Sequence, residues 1–327
     1  TMGFPEPFTF GLRAYHVLRS ARHRFDVVHD NQSLSYGIWA VNRIMPTLAT
    51  IHHPITVDRQ LAVKSVSAFW KKIKHLRWHS FLRMQKVVSR TLPRIVTVSE
   101  CAKQDIGEDF RIPAEKFRVV PNGISTELFY PVPEIQREPN RLIVTNSADI
   151  PLKGLYHLLH AVARIAARQP VKLVVIGTPK ENGGIEDLIR TLGIGHLVHF
   201  TGRIDHDSFV RQYARASVAV VPSLYEGFGL PAGEAMACGV PVVQPRHGAF
   251  PEIIEKTGGG LLVDADDTES LAEGIASLAK DRTLARRLGQ QGAEGVRAHY
   301  DARQMAHRAL EVYETICRRN AAEATPE

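Results

Sequence analysis

Short runs of β-branched and apolar residues recur along the chain, each followed by a Gly-, Pro- or Asn-rich loop and then by apolar residues at every third or fourth position. The runs predict strands over Phe25–His29, Leu48–His52, Arg94–Val98, Phe117–Val120, Arg141–Thr145, Val171–Ile176, Val198–Thr201, Val218–Val221, Pro241–Gln244 and Gly260–Val263. Helical periodicity lies between several of them, over Gly154–Arg168, Asp207–Ala216 and Pro231–Cys238. Strand and helix alternating in this way imply βαβ units and parallel sheets covered on both faces, so the fold class is α/β. A last helix is expected over 301–319, with Met305, Ala309, Val312, Tyr313 and Ile316 among its apolar stripe.

At ~150 residues per domain, 327 residues make about two. The break is expected in Phe129–Asn140, where Pro131, Pro133 and Pro139 stand among charged residues without apolar period. The chain therefore reads as 1–133 and 134–300, with the helix 301–319 completing the first domain. The front half gives only about four strand signals and opens on Gly3-Phe4-Pro5-Glu6-Pro7, fewer strands than an open doubly wound sheet usually has. The first domain is expected to lack its earliest strands and to show an unpaired sheet edge.

Hydrophobic residues at 44% and charged residues at 23% exclude a disordered tail, a collagen-like fibre and a small disulfide scaffold. Lys plus Arg exceed Asp plus Glu by 41 − 34 = 7, which favours anionic partners without choosing among them. Cys101, Cys238 and Cys317 have no metal or disulfide spacing, and no apolar run approaches the ~20 residues of a membrane span, so a cytoplasmic protein is expected.

Candidate chemistry concentrates in Ser217–Val243. A buried strand runs into a loop holding Gly227 and Gly229, and Pro231 stands where a helix would begin. Free backbone N–H groups at such a helix start suit a phosphate. Glu226 precedes the loop and Glu234 follows it, two carboxylates at the ligand-binding edge of a parallel sheet; the bland alternative is a solvated loop residue and a helix-dipole partner. Gly227-Phe228-Gly229-Leu230-Pro231-Ala232 also fits the G-x-G-x-x-A dinucleotide fingerprint. The acid that fingerprint needs about 20 residues on is absent, since the next strand runs into Pro245-Arg246.

Glu226 and Glu234, with seven residues between them, resemble the paired-glutamate signature of retaining glycosyltransferases of family 4, which have the GT-B fold of two Rossmann-like domains facing across a cleft. Val96-Thr-Val-Ser-Glu100, Val119 to Pro131 and Pro151-Leu-Lys-Gly154 resemble further family segments in family order. The resemblance implies that Glu234 binds the nucleotide ribose. It gives the donor sugar to Glu226 with the backbone of Gly227, Phe228, Gly229 and Leu230, and the diphosphate to Lys153. Ile204 would meet the nucleobase. His52 resembles the cleft histidine that approaches the donor sugar, with His53 as its neighbour. Where the family carries a second diphosphate clamp, an arginine, this chain has Ala148. Asp205-His206-Asp207 imitates a metal-binding DxD but reads better as a helix N-cap. The family implies no metal or other cofactor, a UDP- or GDP-sugar donor, and a glycan, lipid-linked or small-molecule acceptor. An epimerase or hydrolase of the same architecture, or a nucleotide-sugar-binding protein without efficient transfer, are the alternatives.

From Arg59 to Ser99 there is no Asp or Glu, while ten Lys or Arg interleave with Phe69, Trp70, Ile73, Leu76, Phe81, Met84 and Val88. The stretch reads either as helices whose apolar stripe is core, the weightier reading, or as an interfacial segment over 64–90 touching anionic lipid on the inner face of the membrane. Nucleic acid is not expected, as no recognition motif accompanies the charge.

Overall fold

The computed structural model describes residues 5–56, 59, 63, 69–145, 151–180 and 183–324. Strands form at all ten expected places. They are β1 (Val28–Asn31), β2 (Thr47–Thr50), β3 (Ile95–Thr97), β4 (Phe117–Val119), β5 (Arg141–Thr145), β6 (Lys172–Ile176), β7 (Val198–Phe200), β8 (Val218–Val220), β9 (Val242–Pro245) and β10 (Gly260–Val263). The ends differ most at β1, which begins after a short helical turn, Arg22–Arg24, and excludes the half-exposed Phe25.

By internal contacts the chain divides into 1–121 with 305–327, and 122–304. The division falls before the expected 133/134 because the intervening segment is bonded into the second unit. Ile124 N donates to Tyr300 O (2.7 Å), Glu138 N to Arg215 O (2.8 Å), and Arg137 to the carbonyls of Ala216, Cys238 and Gly239.

In the first unit the described strands form a parallel sheet in the order β1-β2-β3-β4. Its core includes Leu48, Val96 and Val120 packed with Val312 and Ile316 of the helix Ala302–Ala324, the expected terminal helix. A helix over Pro5–Ala21, which the opening residues did not predict, packs on the helix Tyr36–Val41. Prolines in its first turn are tolerated because the N–H groups there lack partners in any case.

The basic stretch divides. In the helix Leu82–Thr91, Leu82, Met84 and Val88 are buried, as the core reading expects. In the helix Phe69–Trp78 the core reading fails: Phe69, Trp70, Ile73 and Leu76 are 77, 64, 45 and 52% exposed.

The second unit carries a six-stranded, all-parallel sheet in the order β10-β9-β8-β5-β6-β7. Chain order runs outward in opposite directions from the β8/β5 pair, the topological switch point at whose carboxyl ends sheets of this kind have their ligand-binding crevice. The helix Leu155–Ala166 buries Leu158, Leu159, Val162 and Ile165 on one face of the sheet, beside Leu271, Ile275 and Leu278 of the helix Thr268–Lys280. None of the three cysteines is in a disulfide. Among the described residues no helix is long and apolar enough to cross a membrane.

Candidate active site

The loops after β5 and β8 meet at the crevice of the second sheet. Lys153, from the first, places Nζ 2.6 Å from Oε1 of Glu226, from the second. Ser223 Oγ donates to the same oxygen at 2.9 Å, and Leu224 N donates to Leu152 O at 2.8 Å. The expected diphosphate cation and the expected sugar carboxylate are thus one ion pair, with the lysine the more exposed partner (38 against 16%).

Two glycines make this approach feasible. Gly154 has φ +69°, and a Cβ there would lie 1.8 Å from Pro222 O. Gly248 has φ +58°, and a Cβ there would lie 2.6 Å from Glu226 O, which accepts from Ala249 N at 3.1 Å. Gly154→Ala must therefore adopt a disfavoured φ and push two loops apart. A loss of at least about 1–3 kcal/mol is expected, read as a lower denaturation midpoint.

After Gly229 (φ +92°) the helix Leu230–Ala237 begins, with Pro231 second rather than first. Phe228 turns its ring into the core against Tyr300 (5.4 Å between centroids), so its backbone is what it offers a ligand. Glu234 lies one turn into the helix, partly buried near the fully buried Tyr213. Tyr213 Oη and Thr145 Oγ1 are hydrogen-bonded at 3.0 Å. Desolvation pushes the Glu234 carboxyl up to about 7. Arg137, whose role sequence reading missed, closes the far end of this helix through the Cys238 and Gly239 carbonyls; a lone Arg in a proline-rich segment gives no signal of that kind.

Ile204 is half-buried after β7, on the loop where Gly202 N donates to Gly177 O at 3.1 Å. Asp205 caps the helix His206–Arg215 by accepting from Ser208 N (2.8 Å) and Ser208 Oγ (3.1 Å), the capping role expected of it. Among the described residues no group of three or more His, Cys, Asp or Glu is disposed to hold a metal ion. Ala148 lies outside the described residues.

In the first unit, His52 follows β2 at the carboxyl edge of the sheet. Its Nε2 is 2.9 Å from Asn31 Oδ1 and its backbone N donates to Gln32 Oε1 at 3.0 Å. Burial, and secondarily His53, hold its pKa below the usual imidazole value. His29, unmarked by the sequence, bridges Thr50 Oγ1 (2.6 Å) and Tyr313 Oη (2.7 Å).

Known proteins match both units. The family model described as Glycosyltransferase Family 4 matches residues 2–128, and that described as Glycosyl transferases group 1 matches 131–295. The chain is 42% identical to the MMP alpha-(1->4)-mannosyltransferase of Mycolicibacterium hassiacum over 98% of its own length and 78% of that protein's. It is 28% identical to the phosphatidyl-myo-inositol mannosyltransferase of Mycobacterium leprae, over 89% of this chain and 74% of that one. Among solved structures, sucrose-phosphate synthase from Thermosynechococcus elongatus aligns with a TM-score of 0.77 at 27% identity, covering 93% of this chain and 76% of that one. A glycosyltransferase from Rickettsia africae aligns at 0.73 and 17%, covering 95 and 81%, a likeness of fold. Two parallel-sheet units, a crevice carrying the paired glutamates, and family matches over both units agree: the chain belongs to glycosyltransferase family 4 and is a transferase of GT-B fold.

Proposed function

We propose that the protein is a retaining hexosyltransferase that takes its sugar from a nucleotide-diphosphate donor. The observation that carries this reading is the Lys153–Glu226 pair at the crevice of the second sheet, with Glu234 one turn into the helix that follows. Glu234 accepts from the ribose hydroxyls, Ile204 lies along the base, and Glu226 with the backbone of Gly227 to Leu230 holds sugar hydroxyls. Lys153 neutralises the charge that develops on the departing diphosphate. No side chain is assigned as a covalent nucleophile; the acceptor attacks on the face the phosphate leaves, with the phosphate guiding it. His52 is assigned to the sugar by its resemblance to the family histidine. No metal is assigned to the reaction. The mannosyltransferase names of two relatives make mannose the first sugar to test, on UDP or GDP, and a glycan or a lipid-linked molecule the acceptor.

A thermal-shift panel of UDP, GDP, ADP and TDP sugars should single out one base, since a ligand of the native state raises the melting temperature by mass action. With that donor, nucleoside diphosphate should appear only when an acceptor is supplied, and the product anomer should match the donor. Release at the same rate without acceptor would favour the hydrolase reading.

Peripheral binding to the inner face of an anionic membrane is part of the proposal, narrowed from 64–90 to the helix Phe69–Trp78. It is supported by exposed Phe69, Ile73 and Leu76 beside Lys72, Lys74 and Arg77 on a helix without an acid. Replacing Phe69 and Ile73 by Ser should weaken sedimentation with vesicles containing phosphatidylglycerol by at least about tenfold, because each buried apolar side chain is worth ~1.5–3 kcal/mol. Equal sedimentation of both proteins would remove the membrane contact.

A further inference from the structure

The loop after β1 has a conformation that side chains rarely adopt. Gln32 and Leu34 are both left-handed, with φ of +62° and +45°, and neither is glycine. Buried neighbours hold it there. Asp30 accepts from Ser33 Oγ and from Leu34 N (2.8 Å), and Gln85 Nε2 donates to Gln32 O at 2.9 Å. Asp30, Leu34 and Gln85 are 5, 0 and 3% exposed, so the strain is fixed from beneath. Such strain persists only where the surroundings over-determine it, and it gathers at functional sites.

The result is a clasp on the loop after β2. The Gln32 amide takes the His52 N–H on its oxygen (3.0 Å) and gives its own N–H to His53 O (3.3 Å), which fixes the backbone on both sides of the His52 carbonyl. Asn31 Oδ1 stands 2.9 Å from His52 Nε2. With its amide oxygen facing the ring, Asn31 accepts from Nε2–H of a neutral imidazole, which leaves the lone pair on Nδ1.

We propose that Asn31 and Gln32 are positioning residues for His52, Gln32 fixing its backbone and Asn31 holding the ring as the Nε2–H tautomer, with Nδ1 as the acceptor for a sugar hydroxyl. The proposal rests on the reading of His52 as a sugar-facing residue, and it adds two side chains that no family motif quoted above contains. The clasp also gives the strained turn a purpose: a relaxed Gln32 would not carry its amide to two backbone groups of the neighbouring loop.

The test uses the whole chain labelled with 15N-histidine, in two-bond 1H–15N spectra at pH 8, with His52 assigned from the signal lost in His52→Gln. Wild-type His52 should show the Nε2–H pattern alone, and Asn31→Ala should shift it towards the average of two exchanging tautomers. The opposite tautomer in the wild type, or an unchanged pattern in Asn31→Ala, overturns the proposal whatever His52 does. Kinetics separate the two layers. Asn31→Ala is expected to lower kcat about tenfold with the donor KM within about twofold, and to add little in a His52→Ala background, as for groups that act as a unit. Gln32→Gly keeps the left-handed φ without strain and deletes the amide. It should leave the melting temperature equal or higher while kcat falls; a lower melting temperature with unchanged kcat would make the clasp merely structural and overturn the proposal. A fully active His52→Ala beside the expected tautomer change would overturn the sugar role of His52 alone.

Discussion

Lys153→Ala should lower kcat by about 10²–10³-fold, the loss typical of removing one group aimed at developing charge. Lys74→Ala, an exposed lysine of the helix Phe69–Trp78, should leave kcat in solution unchanged. Two features make the expected loss large. Lys153 is fixed in the crevice of the second sheet by Glu226 at 2.6 Å and by the close packing of Gly154 under Pro222, so little reorganisation precedes its use. In the proposed diphosphate role the interaction also strengthens as the sugar–phosphate bond breaks, because negative charge grows on the leaving group, and an interaction of that kind raises kcat rather than only tightening binding. The ion pair adds a second expectation. Without Lys153, Glu226 is left beside the diphosphate with no cation, so part of the loss is repulsion that Glu226→Gln relieves. In a double-mutant cycle the combined variant should therefore lose less than the sum of the single losses. Strict additivity would mean that lysine and glutamate act separately, and equal losses for Lys153→Ala and Lys74→Ala would remove the diphosphate role.

The sequence makes the sheets legible and the contacts across loops much less so. Buried parallel strands need uninterrupted β-branched runs such as Val171 to Ile176, and these have few other uses, which is why each expected strand has a counterpart. The paired glutamates stand out because their spacing about a glycine loop marks them, whereas Lys153 stands out only through the resemblance of Pro151-Leu-Lys-Gly154 to a family segment. The helix Pro5–Ala21 is hidden by Gly11, which breaks its pattern for a tertiary reason. A Cβ at Gly11 would lie 1.9 Å from Ser35 Oγ, so the glycine serves a close helix approach. The basic stretch misleads in a different way. An apolar stripe at helical spacing looks the same whether it meets the core, as Met84 and Val88 do, or solvent, as Phe69 and Ile73 do. Asn31, Gln32 and Arg137 are invisible because their partners lie 20 residues or more away in sequence and are largely backbone atoms, which carry no residue signature.

Glu234→Gln should stabilise the ligand-free protein at pH 8 and weaken nucleotide binding. The carboxyl titrates at about 7 in the fold against 4.5 for an unperturbed glutamate, with burial as the cause. The native state therefore holds this proton more tightly than the unfolded chain. The group's contribution to stability is complete below about 4.5, falls as the pH rises towards 7, and is then constant. At ~1.4 kcal/mol per pKa unit, the burden of the ionised carboxylate above pH 7 is of the order of 3 kcal/mol. Gln carries no such charge, so the variant should melt higher than wild type at pH 8, with the difference vanishing near pH 4.5. In the proposed ribose role the same carboxylate accepts from the nucleotide's hydroxyls. Replacing it by an amide leaves one acceptor and no charge, and should raise the nucleotide dissociation constant by roughly 10–100-fold, or ~1.5–3 kcal/mol. In the wild type, affinity should rise between pH 6 and pH 8 as Glu234 ionises, while in the variant this rise should be absent. Binding near pH 7 should also release a proton, since hydroxyl donors favour the ionised form, and calorimetry in buffers of different ionisation enthalpy reads that proton directly. A variant that binds nucleotide as tightly as wild type, with the same pH profile, would take the ribose away from Glu234. A variant no more stable than wild type at pH 8 would show that the buried carboxylate carries no penalty in the free protein.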